Sequence, residues 1–300
     1  MPTRIGNTAV IRRRPPLQFR PGRLVVYVLL SLFSLSAIAA FAWVFMISLK
    51  STPEFLSTSP WALPQKLRFT NFALAWQKAR IGSYFLNSIM AASVGATVSI
   101  IVSALAAYVI GRIPFRLNAL LGNYFLVGYM IPLMLTVIPL YFLLASISSA
   151  NAYLTPLMIG WGPLLGLYVA SGVPFNTFVL RGFFESLPTE MEEAAAIDGA
   201  TPFRTFWQIM LPLVTTGLAS AFLVNFLSLW NEFFLALIFL KKENATLPLG
   251  LFYMAQRAEY TAQWTDLFAA VLITTVPILI IFALLQKQVY RGMTQGALKG

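Results

Sequence analysis

Cysteine and histidine are both missing from this 300-residue chain. Their absence excludes disulfides, thiol nucleophiles, imidazole bases and the ligand sets of most zinc and haem sites. It also leaves the compartment to be read from topology rather than from redox chemistry. Charge is scarce as well: 10% of residues are Asp, Glu, Lys or Arg, where a soluble domain carries about 25%. There is no G-x-x-x-x-G-K-[ST] loop to cradle a nucleotide phosphate, and there is no low-complexity segment, internal repeat or second globular domain.

What is present is hydrocarbon. Hydrophobic residues make up 58% of the chain, with 25 Phe, 11 Tyr and 7 Trp. The net charge of +11 fits either a nucleic-acid face or the flanks of membrane spans. The basic residues lie between apolar runs, which selects the membrane and excludes nucleic acid as a partner. Six runs, near residues 24–47, 84–110, 119–144, 154–178, 212–240 and 265–286, reach the roughly 20 helical residues that cross a bilayer core. Backbone polar groups in lipid must be satisfied internally, so the expected fold is an all-α polytopic membrane protein with six transmembrane helices. The first run contains a small-x-small pattern at Ala37-Ile38-Ala39, but cleavage there would leave a chain starting inside an apolar segment, so it reads as a retained span.

Placing the N-terminus inside puts 13 Lys and Arg on that side and 8 on the other, so both termini are expected in the cytoplasm. The expected organisation is a basic segment (1–23), a first helix with an extracytoplasmic loop (24–83), a five-helix domain (84–286) and a cytoplasmic tail (287–300). The outer loop, with Lys50, Lys66, Arg68, Lys78 and Arg80, runs against the positive-inside rule. Its Pro53, Pro60 and Pro64 and its aromatic Trp61, Phe69 and Trp76 predict a small ordered cap. Tyr27, Tyr84, Trp264 and Tyr290 near run ends fit interfacial belts.

The connection 179–211 gathers five of the ten acids: Glu185, Glu190, Glu192, Glu193 and Asp198. Thr189 and Glu192 have capping-box spacing, and the carboxylates sit where a helix dipole favours negative charge. Gly199 is placed to end that helix in a left-handed turn, giving a helix over about 190–198. Thr201 as N-cap with Pro202 at the first helical position starts a second helix. Its Phe203, Phe206, Trp207, Met210 and Leu211 form an apolar stripe that enters the membrane at Pro212. A solvated spacer would need less: Ala194, Ala195, Ala196 and Ile197 make a small-residue patch suited to docking.

These residues resemble the EAA loop of binding-protein-dependent ABC importer membrane subunits, E-A-A, three residues, G, nine residues, I-x-L-P. Here the pattern is carried by Glu193-Ala194-Ala195, Gly199 and Ile209-Met210-Leu211-Pro212. Residues 84–115, WNEFFLAL and the terminal YRGMTQGALKG are similar to the carbohydrate branch, in particular the six-span membrane subunit of the maltose importer. The resemblance implies that the loop is a cytoplasmic coupling helix docking on a separate ATPase, with Glu193, Ala194, Ala195 and Gly199 as the contact core and Glu192 and Asp198 beside them. It further implies a homologous second membrane subunit, two ATPase subunits that hold ATP and Mg, an extracytoplasmic solute-binding protein, and a bacterial or archaeal cytoplasmic membrane. No cofactor and no catalysis are expected of this chain itself.

For the solute path, Asn87, Tyr129, Trp161, Tyr168 and Asn225 supply hydrogen-bonding and aromatic groups inside the runs, and for each a structural role is the stronger reading. In Trp230-Asn231-Glu232 the carboxylate is the one acid deep in a run. It lies roughly 28 Å along the helix from Leu213 at about 1.5 Å per residue, near the outer boundary. A pore-mouth contact, a structural anchor and a proton site are all open readings for Glu232. Gly160, Gly162, Pro163, Gly166, Gly172 and Pro174, with Pro132 and Pro139, mark places where spans break or pack closely. No Lys or Arg sits at mid-depth, which points away from an anionic solute such as glycerol phosphate. A stand-alone secondary transporter and a membrane enzyme are the alternatives from other classes.

Overall fold

The computed structural model describes residues 21–78, 80–150 and 160–297, and every regular element among them is helical. In chain order these are α1 (Pro21–Ser48), α2 (Thr52–Ser57), α3 (Thr70–Lys78), α4 (Ile81–Arg112), α5 (Asn118–Met130), α6 (Leu133–Ala150) and α7 (Trp161–Glu185). They continue as α8 (Glu190–Ile197), α9 (Pro202–Leu213), α10 (Thr215–Trp230), α11 (Phe234–Phe239), α12 (Leu247–Thr261) and α13 (Trp264–Ala297). The chain divides at Val44. The part of α1 up to that point is one unit and Phe45–Gly300 is the other, which carries the contacts and sites described below.

Four helices are long and apolar enough to span a membrane unbroken, namely Gly22–Ser48, Ile81–Arg112, Trp161–Glu185 and Trp264–Ala283. Two more spans are bent pairs: α5 with α6 at 92°, and α9 with α10 at 77°. Counted as one span each they complete six.

The bend at Pro132 falls where the sequence marked a break or close packing, the bend beside Pro212 was not expected, and proline chemistry explains both. Ile131, preceding Pro132, is held at φ −76°, ψ 118°, because the proline ring excludes helical geometry from the residue before it. Pro212 lacks the N–H that would bond the Gln208 carbonyl, and its ring crowds that carbonyl. The chain responds with a π-helical turn at Phe206–Met210, where the Leu211 amide reaches back to the Phe206 carbonyl, and then bends at Val214. The extra residue in that turn splits the expected stripe. Phe206 and Met210 are buried while Phe203 is 70% exposed.

The fourth run also differs. Residues 154–159 lie outside the described ones, and α7 continues past the apolar stretch to Glu185, where an i,i+4 ion pair from Arg181 to Glu185 (2.7 Å) supports the last turn. The segment after α1 is ordered, as its prolines and aromatics predict. Ser51 and Glu54 form a capping box at α2, and Asn71 Nδ2 donates to the carbonyls of Ser48 and Lys50, 2.8 Å each. Lys50 is fully buried with Nζ donating to the Ser59 carbonyl, so it braces this segment rather than contributing an interfacial charge.

The centre of the bundle is the pairing of α4 with α7, to which α10 adds a third wall. Small residues on α4 (Ala91, Ala92, Gly95, Ala96) let these helices approach closely, the packing mode favoured where lipid supplies no hydrophobic contrast between helices. At Gly172 the approach is tightest, since a Cβ there would stand 2.5 Å from Ser99 Oγ and 2.7 Å from Asn225 Nδ2. Asn176 Nδ2 donates to the same Ser99 hydroxyl (3.1 Å). A polar layer thus sits where α4, α7 and α10 meet.

Candidate functional site

Helix α8 spans Glu190–Ile197, within one residue of the sequence reading, with Glu190, Glu192 and Glu193 in its first turn. The capping box does not form. Thr189 adopts helical dihedrals and makes no side-chain cap bond, the Glu192 amide bonding the Thr189 carbonyl (3.0 Å) instead, and the Glu192 carboxylate is drawn elsewhere. The end of the helix is as expected: Gly199 has φ +73°. Its amide bonds the Ala196 carbonyl (3.1 Å) while the Ala200 amide bonds that of Ala195 (2.9 Å), which is the Schellman closure that needs a left-handed residue. Thr201 then caps α9 by accepting from the Arg204 amide, with Pro202 at the first position.

Arg112, the last residue of α4, takes the Glu192 carboxylate. Arg112 Nε donates to Glu192 Oε2 at 2.8 Å and its Nη1 donates to the Leu187 carbonyl at 3.0 Å. The two side chains are 7% and 23% exposed. Beneath them Tyr108, Phe184 and Phe206 form an aromatic cluster, with Tyr108 5.6 Å from Phe184 and 5.2 Å from Phe206 between centroids. Such pairs contribute about 0.5–1.5 kcal/mol each beyond area burial. The short connection is therefore locked to α4, α7 and α9.

The six residues assigned to partner contact separate into two faces. Glu193, Ala194, Asp198 and Gly199 are exposed. Ala195 is 3% exposed and turns inward, and Glu192 is held by Arg112; both serve the bundle side of α8. Sequence reasoning missed Arg112 as a site residue, having read it only as a flanking charge. Ile197, read in the sequence as part of the docking patch, is 86% exposed beside Ala194 and Asp198.

The solute-path residues are not brought together in one place. Glu232 accepts from the Leu235 amide (2.6 Å), the Ala236 amide (3.2 Å) and the Tyr168 hydroxyl (2.8 Å), so it caps α11 and ties it to α7. Tyr168 is fully buried. Trp230, 3% exposed, packs edge-on against Phe85 at 5.5 Å. Asn87 Nδ2 donates to the Ala245 carbonyl (3.0 Å), and Asn231 Nδ2 to that of Leu227 (2.8 Å). Tyr129 is 58% exposed with its ring 5.4 Å from Phe175, and Trp161 opens α7. Asn225 is the exception: its Nδ2 is buried in the polar layer without a hydrogen-bond partner, as are Asn176 Oδ1 and Thr177 Oγ1. Buried atoms of this kind normally find protein or water partners. No group of three or more acidic residues placed to hold a metal ion occurs among the described residues.

The chain is 36% identical over 276 residues, covering 92% of it and 88% of the relative, to the diacetylchitobiose uptake system permease protein NgcG of Streptomyces coelicolor. It is 32% identical over 272 residues, covering 90% of it and 94% of the relative, to the trehalose/maltose transport system permease protein MalG of Thermococcus litoralis. Its fold is similar, with a TM-score of 0.74 at 22% identity, to a chain of a bacterial ABC transporter involved in the import of the acidic polysaccharide alginate, covering 91% of this chain and 99% of that one. Residues 99–295 match the family described as the inner membrane component of binding-protein-dependent transport systems, and with that match and those relatives the chain belongs to this family of multi-pass transport permeases.

Proposed function

We propose that this chain is one of two membrane subunits of an ATP-driven importer that passes a sugar or oligosaccharide across the cytoplasmic membrane, with both its termini in the cytoplasm. The observation that carries the reading is α8. A short helix, clamped by Arg112 and closed by Gly199, presents Glu193, Ala194, Ile197 and Asp198 outward. The outward face combines small side chains, one large apolar side chain and two acids, a surface fitted to a cleft with basic rims on a separate ATPase. That ATPase holds ATP and Mg, and its closure draws α8 inward. Because Glu192 and the Tyr108, Phe184 and Phe206 cluster join α8 to α4 and α7, such a movement passes to the spans as a rigid displacement. Relatives named for diacetylchitobiose and for trehalose and maltose support a saccharide solute, and the family description, a binding-protein-dependent transport system, supports its delivery by an extracytoplasmic binding protein.

The test is reconstitution of the chain with the subunits encoded beside it and its binding protein, followed by ATPase and uptake assays over a panel of sugars. One sugar stimulates both activities. Gly199→Val, which forces a β-branched residue to φ +73°, abolishes stimulation while membrane insertion persists. Full uptake by that variant rejects α8 as the coupling element.

A further inference from the structure

Eight Lys and Arg residues fall on the extracytoplasmic side of the proposed topology, five of them in the loop that runs against the positive-inside rule, and the fold gathers three of the eight around one pocket. A half-open cavity of about 440 Å³ lies between the α3–α4 elbow, α12 and the start of α13, with Arg80, Lys242, Arg257, Tyr84, Tyr253 and Asp266 in its wall. Its volume is that of a small-molecule site, about 300–1,000 Å³. Arg80, Lys242 and Arg257 take no part in the Arg112–Glu192 and Arg181–Glu185 ion pairs. Lys242 Nζ stands 5.7 Å above the Tyr253 ring, which places its charge at the edge of an aromatic wall. Leu74, Met254 and Ala258 complete an apolar floor.

The frame of the pocket is specified independently of its charges. Arg80 (φ 60°) and Ala262 (φ 55°) are the two non-glycine residues with left-handed backbone among those described, and both border the pocket, Ala262 between its lining residues Thr261 and Gln263. Strain of this kind persists where surrounding structure over-determines it and concentrates at binding sites. The α12 side is pinned to α4 by Asn87 to the Ala245 carbonyl and by the Leu247 amide to Ser88 Oγ (2.7 Å).

We infer that this pocket is a receiving site for a saccharide bearing a carboxylate, the Arg and Lys side chains pairing with the acid and the two tyrosines covering a sugar ring. Guanidinium groups match carboxylate geometry, and tyrosines offer an apolar face with a hydroxyl handle. The inference rests on the importer reading and narrows its solute class. It is compatible with the lack of Lys or Arg at mid-depth, since the charge is met at the mouth of the path and not within it.

Binding to the full chain in nanodiscs tests this directly, with digalacturonate, maltose and inorganic phosphate as probes. Digalacturonate is expected to bind, to weaken at least tenfold between 0.05 and about 0.5 M salt as exposed charges are screened, and to weaken at least tenfold in the Lys242→Gln/Arg257→Gln double variant. Arg80→Asn, which keeps a left-handed-tolerant residue, weakens it less. Maltose binding as tight as that of digalacturonate overturns the acid assignment, and phosphate binding as tight overturns the saccharide assignment. An unchanged affinity in the double variant overturns the pocket itself. Uptake by the assembled complex is scored separately: ATP-driven uptake with no digalacturonate binding rejects this inference and leaves the importer standing, whereas binding without any ATP-driven uptake rejects the importer.

Discussion

Arg112 at the end of α4 and Glu192 in the first turn of α8 meet 80 residues apart in sequence, guanidinium Nε to carboxylate Oε2 at 2.8 Å. Two guanidinium N–H groups converge on one oxygen of a mostly buried carboxylate, a charge-assisted contact that sets where α8 points relative to α4.

Removing that grip should loosen α8 without unfolding the bundle. Arg112→Ala is expected to lower stability by about 2 kcal/mol, the scale of a hydrogen bond to a charged group, and to reduce ATPase stimulation in the assembled complex tenfold or more. The measurement is a double-mutant cycle with Glu192→Ala on melting temperature and on stimulated ATPase. A coupling energy of about 0.5–3 kcal/mol marks a direct interaction, and additive effects contradict it.

Ile197 should behave in the opposite way. At 86% exposure it contributes little to folding, and Ile197→Asp is expected to change stability by no more than about 0.5 kcal/mol. Stimulated ATPase and co-purification of the ATPase subunit fall in the same variant. Thermal unfolding beside pull-down of the ATPase separates the two effects; retention of the ATPase at wild-type yield removes Ile197 from the docking face.

Glu232 offers a choice between anchoring and proton transfer. It accepts two backbone amides and the Tyr168 hydroxyl, and as an anchor it yields uptake that is indifferent to an imposed pH gradient. Tyr168→Phe costs about 1 kcal/mol, seen as a lower melting temperature, with uptake retained. Glu232→Ala leaves the end of α11 uncapped and costs more, about 1–2 kcal/mol. Uptake that follows the pH gradient and disappears in Glu232→Gln would establish a proton site instead.

Close helix approach is tested at Gly172. Alanine there gains about 1 kcal/mol in helix propensity but puts its methyl 2.5 Å from Ser99 Oγ and 2.7 Å from Asn225 Nδ2. The net expectation is destabilisation by about 1–3 kcal/mol, the usual cost of overpacking, relieved in part by Ser99→Gly in the same chain. Melting in detergent measures both. Unchanged melting in Gly172→Ala would mean that α4 and α7 separate freely.

Chemistry that acts over a few residues was legible before the fold. Gly199 in a left-handed turn, Thr201 and Pro202 starting α9, and the ends of α8 all follow from the dihedral limits and hydrogen-bonding needs of neighbouring groups. The number of apolar runs likewise depends only on chain length against bilayer thickness. Those levels also carried the family resemblance, since the EAA pattern is a local one.

Contacts between distant segments decided the rest. Capping-box spacing assigned Glu192 to Thr189, but a guanidinium delivered by α4 outcompetes the Thr189 backbone N–H for the carboxylate, so the box is not made. Pro212 was read as a point of membrane entry, whereas its effect on the preceding turn depends on whether the chain can absorb a lost hydrogen bond as a π turn and a 77° bend. Asn87, Trp230 and Glu232 had polar or aromatic character suited to a solute path, and tertiary structure engaged them with a carbonyl, a ring and two amides of the protein itself. Periodicity and spacing determine which groups a helix can offer along its length; only the packing of α4, α7 and α10 determines which of those offers is taken, because an unpaired polar group in a bundle interior costs more than the loss of any local alternative.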